Sequence, residues 1–195
     1  MSSELLTPVQ PSRSGPLRFP SLLPAQIISK PVIDFVSACN QSYVHPGARM
    51  LQFRAADPAA FAQAVEGAGA AKLFRTLLSQ PEVPASLTEL NLVPDAGLLR
   101  ELKITEENPF LLDGQLAELL YRQGAYPRSR GNQEQVKLLA EQAVRKLTGG
   151  RFDAVRVFAA RAPWAAWFAG AGQDYTWMVL DPEMGFWLFC VSDAA

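Results

Sequence analysis

Helical and extended periodicities follow one another in the first part of the chain. A run after Ser29 and Pro31 spaces its apolar side chains as a helix does, with the serine as a cap and the proline in the first turn. A strand is the alternative, because the run is short and β-branched at its start. Residues 49–54 alternate in the way that predicts a strand. The apolar stripe of the first run comprises Val32, Ile33, Phe35, Val36 and Cys39.

A longer helix is predicted between Asp57 and Pro81. Asp57 supplies an N-cap, Pro58 suits the first turn, and apolar residues recur along one face. Gly67 and Gly69 lie in the middle of this pattern, and each costs a helix about 1 kcal/mol relative to alanine. We therefore expect a kink at these glycines.

The middle of the chain is helical in two places and ambiguous in a third. Residues 86–93 fit a strand, and residues 96–102 fit either a short helix or another strand. A short helix is expected over residues 113–123. Asn132 is placed to cap the strongest helix of the chain, residues 133–148, which ends at two glycines.

The last quarter of the chain has a two-residue period. Residues 153–160, 175–180 and 186–192 each alternate as strands do. The loop 181–185 joins the last two strands, with a proline early and a glycine at its end, which is typical of a type I turn closing a hairpin. We therefore predict an α+β fold, in which helices pack on an antiparallel sheet with a C-terminal β-hairpin at about 175–192.

The amino-terminal residues differ in composition from the rest. Residues 1–24 hold five of the chain's 15 prolines and a Ser/Arg/Gly patch at 11–16. Proline lacks the backbone N–H that helices and sheets use. We expect a flexible, Pro-rich extension over 1–24, with no helix or strand longer than a single turn, followed by one globular α+β domain over 25–195.

Composition narrows the function classes. A chain of 195 residues that is 49% hydrophobic supports a folded core, and a net charge of -1 gives no general attraction to nucleic acid or anionic lipid. Two cysteines and one histidine are too few for a disulfide framework or a His-rich metal centre, so we expect neither a metal nor a cofactor. The acidic, proline-interrupted start does not resemble a secretory leader. We expect a cytoplasmic protein with reduced thiols and no membrane partner.

Three arrangements that resemble reactive sites have simpler structural explanations. Cys39 would lie at the carboxyl end of its helix, where the helix dipole disfavours a thiolate, and His45 is expected in a loop. Residues 67–72 contain glycines and a lysine, but a phosphate loop must follow a strand and open a helix. Asp181 fits turn chemistry, which leaves Asp174 as the acid with a potential catalytic role.

Charge is distributed unevenly along the chain. Residues 122–161 carry nine lysines and arginines against three acids, whereas residues 162–195 carry four acids and no lysine or arginine. Part of the positive charge is expected to pair with acids inside the helix 133–148. Arg128 and Arg130 lie in a loop without an acid nearby in sequence. They are the candidate residues for binding an anion or a nucleic acid.

Aromatic residues depart furthest from an even distribution. All four tryptophans, and eight of the 19 aromatic residues, lie between residues 164 and 189. The C-terminal strands have two apolar faces, so each face must be covered by helices or by another chain. Large apolar patches left exposed on a monomer mark binding sites. We therefore predict a partner-binding surface formed by Trp164, Trp167, Phe168, Tyr175, Trp177 and Trp187.

Together these features favour a non-enzymatic protein-binding module. The expected partner is another protein or a second copy in a homodimer, and bacterial toxin-immunity proteins are the class with this character, by analogy alone. Two alternatives stay open. One is an enzyme of small substrates with an acidic, Trp-lined pocket near Asp174. The other is an anion or nucleic-acid binder that uses Arg128 and Arg130, although the net charge makes nucleic acid the less expected partner.

Overall fold

Six strands form one antiparallel sheet with helices on both of its faces. The computed structural model describes residues 17–43, 46–122, 132–170 and 173–193. The strands lie in the order β1-β2-β6-β5-β4-β3, so β1 and β3 are the edges. The α+β class and the C-terminal hairpin predicted from the sequence are thus confirmed. The strands are β1 (Leu22–Ala25), β2 (Pro46–Ala55), β3 (Ile104–Glu107), β4 (Arg156–Ala160), β5 (Tyr175–Asp181) and β6 (Gly185–Asp193).

The described residues form seven α-helices in two layers, one against each face of the sheet. One layer packs on an apolar core that holds Phe53, Phe158 and Phe186, and it contains α2 (Pro58–Val65), α3 (Ala70–Leu78), α4 (Glu82–Glu89) and α5 (Ala96–Glu101). The other packs on a core that holds Phe35 and Phe189, and it contains α1 (Lys30–Ser42), α6 (Leu112–Arg122) and α7 (Gln133–Leu147). The two sides are the α2–α5 face and the α1–α6–α7 face below.

The hairpin of β5 and β6 occupies the centre of the sheet. Side chains alternate along β5, so that Met178 and Leu180 enter the core of the α2–α5 face while Trp177 and Val179 enter the other core. Each face of the hairpin is therefore covered by helices of the same chain. The two apolar faces seen in the sequence follow from this central position.

The turn of the hairpin depends on Gly185. Asp181 pairs with Gly185, and its carboxylate accepts a hydrogen bond from the backbone N–H of Glu183 at 3.0 Å. Gly185 has a φ of +127°, and a Cβ atom there would lie 2.1 Å from the carbonyl oxygen of Phe53. Both the backbone conformation and the close approach of β2 therefore require glycine.

Local signals predicted several helix boundaries correctly. The run after Ser29 is the helix α1, with Val32, Phe35 and Cys39 buried, so the strand alternative is wrong. Asn132 caps α7, because its side chain accepts a hydrogen bond from the N–H of Glu134 at 3.0 Å. Both elements combine helical spacing with a first-turn or cap residue, which makes them readable without tertiary contacts.

The segment from 57 to 102 departs from the predicted pattern. The expected kinked helix is two helices, because α2 ends at Val65, Gly67 has a φ of +67°, and Gly69 is the N-cap of α3. Residues 86–93 are not a strand: most of them belong to α4 and the turn after it. Of the two alternatives for residues 96–102, the helix α5 is observed, capped by Asp95.

A strand lies inside the segment that was expected to be an extension. Leu22–Ala25 pairs with the outer side of β2, Leu22 standing opposite Ala55, and the side chain of Leu22 is fully buried. The expected extension over 1–24 therefore contributes residues 22–24 to a strand of four residues, and burial of Leu22 favours this pairing. Residues 1–16 lie outside the described residues. None of the described helices is long and apolar enough to span a membrane.

Candidate functional site

Two of the predicted surface aromatics are core residues. Trp164 is 0% exposed, and its indole N–H donates a hydrogen bond to the hydroxyl of Thr176 at 2.8 Å. Phe168 is also buried in the core of the α2–α5 face. The segment after β4 folds back over the sheet and is held there, since Asp95 N–H donates to the Trp164 carbonyl and Ala169 N–H to the Ser192 hydroxyl. The prediction that Trp164 and Phe168 face a partner is therefore wrong.

Two other tryptophans keep part of their surface. Trp167 is half-buried, meets Phe168 edge to face at 5.1 Å, and lies under the guanidinium of Arg49 at 5.7 Å. Trp187 is half-buried against the core of the α1–α6–α7 face. The partner-binding role of Trp167 and Trp187 stays a prediction.

Tyr175 and Trp177 form the floor of a cleft. Their rings stack at 5.6 Å with an interplanar angle of 12°, and Trp177 stacks in turn on Phe189 at 5.8 Å. Trp177 is only 4% exposed, which corrects its prediction as a surface residue, whereas Tyr175 is half-buried. The cleft above them has a volume of about 550 Å³.

One wall of the cleft is a face of α6. Gln115, Glu118, Leu119 and Arg122 line it, and their spacing of three and four residues places them on the same side of a helix. The helix ends its described part at Arg122, so its last turn forms the rim.

The opposite wall comes from the sheet. Arg161 and Gln173 line it, together with the two residues of the floor. Arg161 follows the last residue of β4, and Gln173 lies just before the first residue of β5. Because β4 and β5 are antiparallel neighbours, the end of one and the start of the other meet at the same end of the sheet.

Hydrogen bonds fix the floor and the base of the helical wall. The indole N–H of Trp177 donates to Oε1 of Gln115 at 3.2 Å, and Nε2 of Gln115 donates to Glu107 at 3.2 Å. Tyr43 also lines the cleft, and its hydroxyl donates to the carbonyl of Leu119 at 2.8 Å. Burial raises the pKa of Tyr43 above its ordinary value, with a smaller opposing effect of Arg122, so the phenol stays a neutral donor at pH 7.

The two arginines of the cleft differ in whether they form an ion pair. Arg122 forms an ion pair with Glu118 at 2.5 Å, with side chains 76% and 56% exposed. An ion pair exposed to that extent is worth about 0–1 kcal/mol. Arg161 is exposed and makes no ion pair or hydrogen bond with the rest of the described chain. Among the described residues, the lining therefore carries one carboxylate against two guanidinium groups.

Most of the basic segment seen in the sequence is neutralised by neighbours. Arg145 pairs with Glu141 as predicted, whereas Lys137 pairs with Asp113 of α6. Arg128 and Arg130, the predicted anion-binding residues, lie outside the described residues. The remaining pairs are Arg151 with Asp181 and Glu183, and Arg156 with Glu106.

Asp174 serves the loop before β5. It is 2% exposed, and its carboxylate accepts hydrogen bonds from the N–H of Gly170 and from the hydroxyl of Ser192. It is not among the residues that line the cleft beside it, and Glu118 is the carboxylate found there. The acidic pocket expected near Asp174 is thus a cleft with more positive than negative charge.

The other sequence candidates do not converge on this site. Cys39 and Cys190 are fully buried, and burial raises the pKa of both thiols, that of Cys190 to about 12. His45 lies outside the described residues. Gly67 and Gly69 connect two helices, so a strand does not precede them. Across the described ranges, histidines, cysteines and acids form no group of three or more placed to hold a metal ion.

Comparisons with protein families, with curated proteins and with solved structures give no match to this chain. Function is therefore inferred from the cleft itself. Sequence reasoning selected two residues of this lining, Tyr175 and Trp177, and missed the others: Tyr43, Gln115, Glu118, Leu119, Arg122, Arg161 and Gln173. The helical spacing of 115, 118 and 122 was a partial signal, since these positions mark one polar stripe beside the buried leucines of α6.

Proposed function

We propose that this protein is a non-enzymatic protein-binding module that holds its partner at the cleft between α6 and the β4–β5 end of the sheet. The observation that carries the proposal is the stacked floor of Tyr175 and Trp177 beside the unpaired guanidinium of Arg161. Tyrosine, tryptophan and arginine are the residue types that contribute most to binding energy at protein interfaces.

The order within the cleft supports binding rather than rearrangement. Trp177 is held by a ring on each side and by the amide of Gln115, which is itself bonded to Glu107. Binding to a surface already in its bound conformation avoids the cost of ordering, about 0.5–1.5 kcal/mol for each flexible side chain. A partner that contacts this floor would therefore lose little binding energy to the ordering of the floor's side chains.

The finer part of the proposal concerns the partner. A module that works through a surface suits an accessory protein, of which a bacterial toxin-immunity protein acting in the cytoplasm is the example we favour by analogy. A second copy of the chain is the other occupant that we consider. Trp187 lies outside the cleft lining but on the same face of the sheet, so it extends the proposal to a wider contact area, whereas Trp167 packs against the core of the opposite face.

A second candidate function is the binding of a small anionic molecule. The volume of the cleft, about 550 Å³, falls within the range of about 300–1,000 Å³ typical of small-molecule sites. The same arginines and aromatic rings would then contact a ligand instead of a protein. An enzyme of small substrates is a variant of this candidate, in which the bound molecule is also converted.

Site-specific crosslinking separates these functions. A photoreactive amino acid replaces Gln173 in the cleft wall, and in a matched control it replaces Gln63, an exposed residue of α2 on the opposite face. When crosslinking is done in the cells that produce the chain, we expect position 173 to capture one protein that position 63 does not capture. The purified partner should then bind the wild-type chain and lose affinity for Tyr175→Ala but not for Gln63→Ala.

Equal crosslinking at the two positions, or none at 173, would contradict the protein-binding proposal. A second copy of the chain as the crosslinked species would identify a homodimer. Native mass spectrometry of the purified protein gives the remaining distinction. An anion that co-purifies with the wild-type chain and is lost in Tyr175→Ala would favour the second candidate.

A further inference from the structure

We infer that the cleft recognises a carboxylate on its partner, anchored by Arg161, with an adjacent planar side chain on the ring of Tyr175. This inference rests on the proposed function and names the chemistry of the segment bound: an acidic stretch of polypeptide that carries an aromatic residue. Four observations support it.

The first observation is that Arg161, the last basic residue in the sequence, has no acidic partner among the described residues. No lysine or arginine follows it in the sequence. Five basic side chains of the preceding segment have carboxylate partners, and Arg161 has none among the described residues. A guanidinium presents two parallel N–H donors, a geometry that matches a carboxylate.

The second observation is the weak pairing of Arg122 across the cleft. Its bond to Glu118 joins two side chains that are both more than half exposed. A ligand carboxylate can therefore share Arg122 at a small energetic cost. The two guanidinium groups lie on opposite walls, so an acidic segment seated between them is held from both sides.

The third observation is the carboxylate of Glu118 in the same lining. It repels a group of high negative charge, because like charges brought together at an interface disfavour binding. One carboxylate among two arginines thus favours a ligand with one or two negative charges. The run of phosphates in a nucleic acid fits this lining less well.

The fourth observation is that Tyr175 and Gln173 offer a ring for stacking and an amide for hydrogen bonding. Tyr175 presents a half-buried ring on which a planar side chain can stack. The amide of Gln173 makes no hydrogen bond with the described residues, so it is available to a backbone or carboxyl group of the ligand. Charge, stacking and amide donor therefore lie in one cleft.

A pair of synthetic peptides tests the inference. The probe is a blocked pentapeptide with a central tyrosine, one glutamate on each side of it and a glycine at each end, and its control has glutamines in place of the two glutamates. Nuclear magnetic resonance of the ¹⁵N-labelled chain reports binding through the indole N–H signal of Trp177. We expect the glutamate peptide to bind about tenfold more tightly than the glutamine peptide, a factor that corresponds to about 1.4 kcal/mol.

Arg161→Gln should reduce the affinity for the glutamate peptide to that for the glutamine peptide. Arg100→Gln is the matched control, since it removes the same charge from an exposed position on α5. The melting temperature should be unchanged in both variants, which shows that they fold. Equal affinity for the two peptides, or an Arg161→Gln variant that binds as the wild type does, would overturn the inference.

Two further outcomes separate this inference from the proposed function. If the protein crosslinked at position 173 binds Arg161→Gln normally, the protein-binding proposal stands and the carboxylate is not what the cleft recognises. If neither peptide binds, the same variant measured against the crosslinked partner decides. Binding of a single-stranded RNA oligonucleotide that is lost in Arg161→Gln, without peptide binding, would replace the acidic polypeptide by a nucleic acid.

Discussion

The two aromatic groups near the end of the chain pack on opposite faces of the sheet, although Tyr175 comes only seven residues after Phe168. Trp164 and Phe168 lie beneath a closed surface, with Trp164 fully buried and bonded to Thr176. Tyr175 and Trp177 lie on the other face of the sheet, where Tyr175 stays half open. A high density of aromatic residues therefore does not mark a binding site by itself.

The difference in exposure between Trp164 and Tyr175 arises from how much of each face of the sheet the helices cover. On the α2–α5 face, four short helices and the segment 161–170 close over the sheet. On the other face, α6 covers Trp177 but forms only the rim above Tyr175. Burial of apolar area drives both arrangements, and the described part of α6 leaves Tyr175 half-buried while Trp177 is buried.

The largest expected effect is at Trp164. Trp164→Ala should lower the free energy of unfolding by about 3–5 kcal/mol, because it leaves a cavity under the closed face and removes the hydrogen bond that the indole donates to the Thr176 hydroxyl. Urea unfolding followed by circular dichroism measures the change. Trp164→Phe keeps most of the volume and should lose less. A loss for the alanine variant below 1 kcal/mol would show that this face is not closed.

An intermediate effect is expected at Trp177. Trp177→Phe retains the ring stack but removes the hydrogen bond to Gln115, so we expect a loss of about 0.5–1.5 kcal/mol. A double-mutant cycle with Gln115→Ala should show coupling between the two positions. Strictly additive effects would contradict the assignment of this hydrogen bond as the link between floor and wall.

A smaller effect is expected at Trp167. The ring is half-buried, and its cation–π contact with Arg49 is worth about 0.5–1 kcal/mol at an exposed site. Trp167→Ala should therefore lower stability by less than half as much as Trp164→Ala. Analytical ultracentrifugation of the same variant tests the remaining surface prediction. A folded variant that loses self-association or partner binding would support it, whereas one that unfolds would make Trp167 a core residue.

The smallest signal is expected from the two thiols, one in each core. Burial raises the pKa of Cys39 and Cys190, so the thiolate fraction at pH 8 is lower than that of a free cysteine. Iodoacetamide should label neither thiol in the folded chain and both in urea. Since the folded pKa values are raised, their contribution to stability is complete below the ordinary thiol pKa and declines as the pH rises above it. Rapid native labelling of Cys39 at pH 6 would contradict its burial.

Local chemistry explains which parts of the fold were predictable. Asn132 and the loop 181–185 carry cap and turn signals that act within a few residues, and both predictions are confirmed. Residues 86–93 have apolar positions that fit either period, and packing on the sheet selects the helix α4. The edge strand β3 has four residues, too few for a periodic signal.

The candidate site was harder to predict, because it joins distant positions. Gln115 and Arg161 face the same cleft from elements 46 residues apart in the sequence. Tyr175 was selected on the density of aromatic residues and the two apolar faces of its strand, and the same criteria selected Trp164 and Trp177, which are buried. Their difference in exposure depends on how α6 packs against the sheet, and no pattern in the sequence specifies that packing.

The strand order has a consequence for the synthesis of the chain. The two central strands, β5 and β6, are the last of the six to leave the ribosome. In the folded sheet they lie between β2 and β4, which are synthesised earlier. Until β5 and β6 emerge, β2 and β4 each have an edge without its final partner, and such edges attract other strands. A chain interrupted before Tyr175 should therefore aggregate rather than fold, and any factor that shields β2 during translation would raise the yield of native protein.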